Sequence, residues 1–112
     1  MSTKPTFTTT FADNLAQLPV INGLAAVELF DVTGTPVARI ENKPGQAGSL
    51  RIYVWLASEF GSITPEAAAL GLHIYAEHTA DAKAHPGKHP NIDRLFEIRT
   101  AEHALTLQAA PV

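Results

Sequence analysis

The run Thr64-Pro-Glu-Ala-Ala-Ala-Leu-Gly-Leu-His-Ile-Tyr-Ala-Glu-His-Thr-Ala-Asp-Ala-Lys-Ala84 decides the fold. Thr64 is an N-cap residue type, because its side-chain oxygen can accept one of the orphan N–H groups that open a helix. Pro65 suits the first helical position, where no N–H is needed, and Glu66 meets the positive end of the helix dipole. Alanine and leucine then dominate, and Gly71 is the only breaker residue. The pattern predicts one continuous helix over residues 65–84. Its first half is apolar almost all round, at Ala67, Ala68, Leu70, Leu72, Ile74 and Tyr75, and so belongs at the centre of the domain. Its second half, from Ala76, turns polar on one side and emerges into solvent.

The segment before it admits two readings. Leu50, Ile52, Val54 and Leu56 alternate as in a strand, whereas Leu50, Tyr53 or Val54, Ala57 and Phe60 follow helical spacing. Ser49 as a cap, and a glycine after Ser58-Glu59-Phe60 at the left-handed exit position, favour a helix over residues 49–60. Arg51, Trp55, Ser58 and Glu59 then share its polar face. That leaves Trp55 either as a contact residue or as ordinary core. Nearer the N-terminus, residues 25–40 read as an antiparallel hairpin turned by Asp31-Val-Thr-Gly34. Phe11, Leu15 and Leu18 mark a short helix, 11–18, that Pro19 stops and that lies over the core as a lid. The Thr-rich residues 1–10 read as a disordered tail. Beyond the long helix, His85-Pro-Gly-Lys-His-Pro90 is a stiff loop. Asn91 is placed to cap a short helix, 91–99, carrying Ile92, Leu95 and Phe96, and residues 104–109 form a last strand with Leu105 and Leu107 inward.

The expected class is therefore α+β. A small antiparallel sheet, the hairpin 25–40 plus the C-terminal strand 104–109, packs on two central helices, 49–60 and 65–84. Short flanking helices, 11–18 and 91–99, complete a single domain over residues 11–112. A chain of 112 residues, 46% hydrophobic and 17% charged, can bury such a core without staples. Its net charge of −3 and its eight scattered Lys and Arg residues show no basic patch, which speaks against nucleic acid as a partner. The absence of cysteine removes disulfides, thiolate zinc sites and cysteine nucleophiles, and fits a reducing compartment. The first ten residues lack the apolar run of a secretory signal, and no stretch approaches the roughly 18 apolar residues of a membrane span. The expected address is the cytoplasm.

Catalytic motifs are missing. Ser49, Ser58 and Ser62 lack the glycine-flanked elbow of a hydrolase nucleophile. Gly45-Gln-Ala-Gly48 lacks the Gly-Lys-Ser/Thr ending of a phosphate loop. What stands out is histidine: four of the five lie between residues 73 and 89. On a regular helix advancing roughly 100° per residue, His73, Glu77, His78, Asp81 and His85 share one flank, and His89 follows on the stiff loop. Leu70 and Ile74 share that flank too, so the stripe also reads as a core face turning polar at the surface.

The functional expectation is a non-catalytic binding or protein-interaction domain working through residues 77–94. Its candidate contacts are Trp55, Glu77, His78, Asp81, His85, His89 and Arg94. Its candidate partners are another protein or a second copy, the latter as a symmetric dimer with Trp55 or Tyr53 in the contact. No cofactor is expected on this reading. The alternative is a small metal-binding or metal-dependent protein in which His78, Asp81, His85 and His89 hold a divalent ion. A sulfur-free set of that kind suits zinc, nickel, iron or manganese, although the spacing matches no established metal motif.

Four stretches carry a resemblance: Phe11-Ala-Asp-Asn-Leu15, Gly61-Ser-Ile-Thr-Pro-Glu-Ala-Ala68, Ala76-Glu-His-Thr-Ala-Asp-Ala82 and His85-Pro-Gly-Lys-His-Pro-Asn-Ile-Asp-Arg-Leu95. In these the chain, from about Phe11 onward, resembles a bacterial family of small single-domain proteins catalogued as a domain of unknown function. The resemblance implies a bacterial, soluble, stand-alone protein. It brings no activity, cofactor or catalytic residue with it.

Overall fold

A computed structural model describes residues 5–112. The elements are α1 (Phe11–Ala16), β1 (Leu24–Phe30), β2 (Pro36–Glu41), α2 (Ala47–Phe60), α3 (Pro65–Tyr75), α4 (Glu77–Ala84), α5 (Pro90–Phe96), a short 3₁₀ turn (Ala101–His103) and β3 (Thr106–Pro111). The class is α+β, as expected. The three strands form one antiparallel sheet in the order β2-β1-β3. In the hairpin turn, Asp31 Oδ1 accepts from the Thr33 and Thr35 N–H groups at 2.9 and 3.0 Å. Gly34 there takes φ +84°, a conformation a side chain would oppose.

Alternation in β1 gives the sheet two chemistries. Val27 and Leu29, opposite Ile40 and Ala38, face the helices, while Glu28 pairs across the other face with Arg39 at 3.2 Å. The segment that sequence left between strand and helix is a helix. In α2, Leu50, Ile52, Tyr53 and Leu56 are all fully buried, and Gly61 ends it at φ +83° with its N–H on the Ala57 carbonyl. Burial of these side chains against sheet and helices supplies the main stabilisation, on the order of 2 kcal/mol for each large one. Ser49 does not cap α2, which starts earlier, after Gln46. Nor does Asn91 cap α5: His89 holds the N-cap position and Pro90, with its preset φ, takes the first turn. Gly71 lets α3 approach its neighbours closely, since a Cβ there would lie 2.8 Å from Leu95 Cδ1 and 2.9 Å from Leu56 Cδ1.

The continuous helix expected over residues 65–84 is broken. Ala76 sits at φ 54°, ψ −117°, which ends α3 and starts α4 in a new direction. The carbonyls freed by the break are satisfied one by one. Ala76 N–H takes His73 O at 3.1 Å, the Thr79 hydroxyl takes Leu72 O at 2.5 Å, and Asn14 Nδ2 takes Ile74 O at 3.1 Å. Local propensity favoured continuation, and these three donors outweigh it.

Among the described residues, Asn14 is the buried polar one. Besides Ile74 O, its side chain exchanges bonds with the Thr8 backbone, accepting from N–H at 2.7 Å and donating to the carbonyl at 2.9 Å. Gln17 does the same with Thr6, at 2.9 and 2.6 Å. Residues 5–10 are thereby laid along α1, and Phe7 packs edge-on against Trp55 with centroids 5.5 Å apart. The rest of the expected tail, residues 1–4, lies outside the described residues. At the other end of α1, the Arg51 guanidinium caps the helix by donating to Leu15 O at 2.9 Å, Leu18 O at 2.7 Å and Pro19 O at 3.2 Å.

Candidate functional site

Asp81, on α4, is the hub that folds the stiff loop back. His89 Nε2 donates to its Oδ2 at 2.6 Å, and Lys88 Nζ reaches the same oxygen at 3.0 Å. His85 Nδ1 lies 3.3 Å from Oδ1. The His89 hydrogen bond first, and the Lys88 bond next, hold the Asp81 carboxyl well below the usual carboxylate range. From the far side, Asp93 Oδ2 accepts from the Gly87 N–H at 2.9 Å, with Gly87 at φ +93°. The loop from His85 to Pro90 is thus pinned at both of its faces.

This pinning shapes a cleft of about 660 Å³. Phe11 and Leu15 of α1, Tyr75 of α3 and Ile92 of α5 supply apolar wall, and Gly48 and Ser49 of α2 form another side. His78, Lys88, His89, Asn91 and Arg94 complete the lining. His78 packs edge-on against Phe11, with centroids 4.7 Å apart, and lies 5.9 Å from the His89 ring. At the base, the Tyr75 hydroxyl donates to Ser49 Oγ at 2.7 Å and the Tyr53 hydroxyl to Asn91 O at 2.6 Å. Burial lifts the Tyr53 phenol to about 12, with Arg94 opposing the shift, and lifts the Tyr75 phenol further still. Both remain protonated donors at neutral pH. Arg94 Nη1 donates to Asn91 Oδ1 at 2.8 Å and to the Tyr53 hydroxyl at 3.2 Å.

Some of the expected surface is brought together here and some is not. His78, His89 and Arg94 share the cleft, with Asp81 and His85 at its edge. Glu77 is elsewhere. The break at Ala76 puts it with His73 on a separate groove, where its carboxylate accepts from the Phe11 N–H at 2.6 Å and joins α4 to the start of α1. The single flank expected for His73, Glu77, His78, Asp81 and His85 therefore does not exist, because it presupposed an unbroken helix. Trp55 is half-buried under Phe7. Tyr53 is fully buried and cannot face a second copy. Among the described residues, no three His, Asp or Glu side chains are arranged around one point as a ligand set. Sequence reasoning missed Phe11, Ser49, Tyr75 and Asn91. The one signal for them was their place at element ends, where α1, α2, α3 and α5 meet.

Fold and site together define a small α+β domain with a cleft at the junction of its helices. The chain belongs to the family described as "Uncharacterized protein conserved in bacteria (DUF2322)", whose model matches residues 11–109. Among the curated proteins and among the solved structures, nothing matches it. No described helix is long and apolar enough to cross a membrane.

Proposed function

We propose that the chain is a non-catalytic binding domain of a bacterial cytoplasmic protein, and that the cleft bounded by residues 78–94 is where it binds. The supporting observation is the cleft itself. Five helices and the stiff loop contribute to it, its volume falls within the range of about 300–1,000 Å³ typical of ligand sites, and polar groups punctuate its apolar wall. The polar groups at its base serve as binders more readily than as reactants. Both phenols are held protonated, and Ser49 Oγ has a phenol against it in place of a general base. A cytoplasmic address fits a chain without cysteine.

A fragment library of mixed charge, screened by amide chemical shifts on the full chain, tests this reading. Saturable shifts clustered at Ser49, His78, Asn91 and Arg94 support it. Hits scattered over the surface, or confined to the outer face of the sheet, contradict it.

A second reading, a metal-dependent protein, has one observation in its favour: Asp81 gathers both His85 and His89 on its carboxylate. Lys88 on the same oxygen opposes it, since an ammonium and a divalent cation repel each other. Elemental analysis of untagged protein decides. Stoichiometric zinc or nickel, lost on His89→Ala and below about pH 6 where free imidazole protonates, supports the metal.

A further inference from the structure

The charge around the cleft is one-sided. No Asp or Glu is among its lining residues, although the chain as a whole carries −3. Arg39 reaches this region too, but its guanidinium is occupied by Glu28 at 3.2 Å and Glu41 at 3.9 Å. The cations that matter are Lys88 and Arg94. Lys88 shares the Asp81 carboxylate with His89, and the acids that line a neighbouring groove with Arg94, namely Asp31, Asp93, Glu97 and Glu102, stay outside this cleft. Arg94 has no carboxylate within 4.0 Å among the described residues. One guanidinium nitrogen, Nη1, is held by Asn91 and Tyr53, which leaves Nε and Nη2 without a side-chain partner among the described residues. Such a half-buried cation, anchored through one nitrogen and with its other two free of any described carboxylate within 4.0 Å, is a means of recognising oxyanions in two-point fashion. The apolar side chains of Phe11 and Leu15 and the ring of Tyr75 line the same cleft.

We infer that the cleft takes a small organic oxyanion, a carboxylate or phosphate monoester carried on an apolar body, with the anion on Arg94 and Lys88 and the body against Phe11 and Leu15. This inference rests on the binding reading above and adds the ligand's class. His78, whose ring lies 5.9 Å from that of His89, lines the same space and is placed to offer an N–H to the anion, whereas the His89 Nε2–H is already given to Asp81.

The test uses the full chain and phenyl phosphate, with benzyl alcohol as a neutral counterpart and inorganic phosphate as an anion without a body. Phenyl phosphate is expected to give saturable shifts at Ser49, His78, Asn91 and Arg94, and to bind more weakly as salt is added. Arg94→Gln is expected to weaken it at least about tenfold, the usual cost of losing a charged hydrogen bond. Lys88→Gln, at the exposed rim and clear of the core, is expected to weaken it about threefold. Lys83→Gln, outside the cleft, leaves affinity unchanged. Benzyl alcohol binding as tightly as phenyl phosphate, or Arg94→Gln and Lys88→Gln both binding like the parent, overturns the anion inference and leaves the binding reading standing. Inorganic phosphate matching phenyl phosphate overturns the apolar body. An absence of cleft shifts with every probe overturns both inference and reading.

Discussion

The guanidinium of Arg94 lies 5.7 Å from the centre of the Tyr53 ring and donates to that residue's hydroxyl at 3.2 Å. A charged group at the rim of the cleft is thereby tied to a fully buried aromatic in the centre of α2. The Tyr53 hydroxyl passes its own proton to Asn91 O at 2.6 Å, so one phenol orients both the cation and the first turn of α5. Tyr53→Phe removes that link while keeping the ring. It is expected to cost about 1 kcal/mol, the net value of a typical hydrogen bond, measured by urea unfolding. Amide shifts at Asn91 and Arg94 should move with it, and an unchanged spectrum there would count against the link.

Ala76→Gly discriminates between a broken and a continuous helix by the sign of its effect. In the middle of a regular helix, glycine costs about 1 kcal/mol relative to alanine. At φ 54°, ψ −117° alanine is the strained residue, and glycine is expected to stabilise the chain by about 1 kcal/mol. Thermal or urea unfolding reads the sign directly.

That junction also shows how far the sequence was legible. Thr64, Pro65 and Gly61 carry local signals, and the structure bears them out: Thr64 Oγ1 accepts from the Ala67 N–H at 3.1 Å, and Gly61 takes the left-handed exit. The break at Ala76 had no such local sign. It depends on Asn14, far away in the chain, reaching Ile74 O, and on Thr79 turning back to Leu72 O. Periodicity saw Glu77 and His78 as neighbours on one flank, whereas the altered backbone sends Glu77 to α1 and leaves His78 in the cleft. Arg94, four residues past the stiff loop's last histidine-proline pair, is singled out by its position. That no carboxylate among the described residues lies within 4.0 Å of it is visible only in three dimensions.

Asn14→Ala strips donors from Ile74 O and Thr8 O and an acceptor from Thr8 N–H. Because Asn14 is wholly buried, the expected loss is about 2–3 kcal/mol. Hydrogen exchange should quicken both at residues 5–10 and around Ala76. Loss confined to the N-terminal residues would separate Asn14 from the break.

Gly71→Ala sets helix propensity against packing. The gain of up to about 1 kcal/mol from alanine meets an overpacking cost of about 1–3 kcal/mol, because the Leu56 and Leu95 methyls within 2.9 Å belong to buried side chains. A net destabilisation of about 1 kcal/mol is expected. A stabilised variant would show that α3 is not packed this tightly.

Acid should weaken the fold through Asp81. Its carboxyl lies below the ordinary value of 3.8 in the folded chain, so its contribution is present above that value and is lost as pH falls through it toward the lower folded one. Asp81→Asn is expected to flatten this acid limb in stability measured against pH. An acid limb of unchanged steepness would show that the loop is held by other groups.

The most direct measurement follows the ring protons of the histidines in the full chain at constant pH while phenyl phosphate is added. The account predicts that His78 and His89 move together and saturate, while His73 and His103, which line other grooves, stay where they are. Equal drift of all five rings, or movement at His73 and His103 with His78 and His89 still, would contradict it.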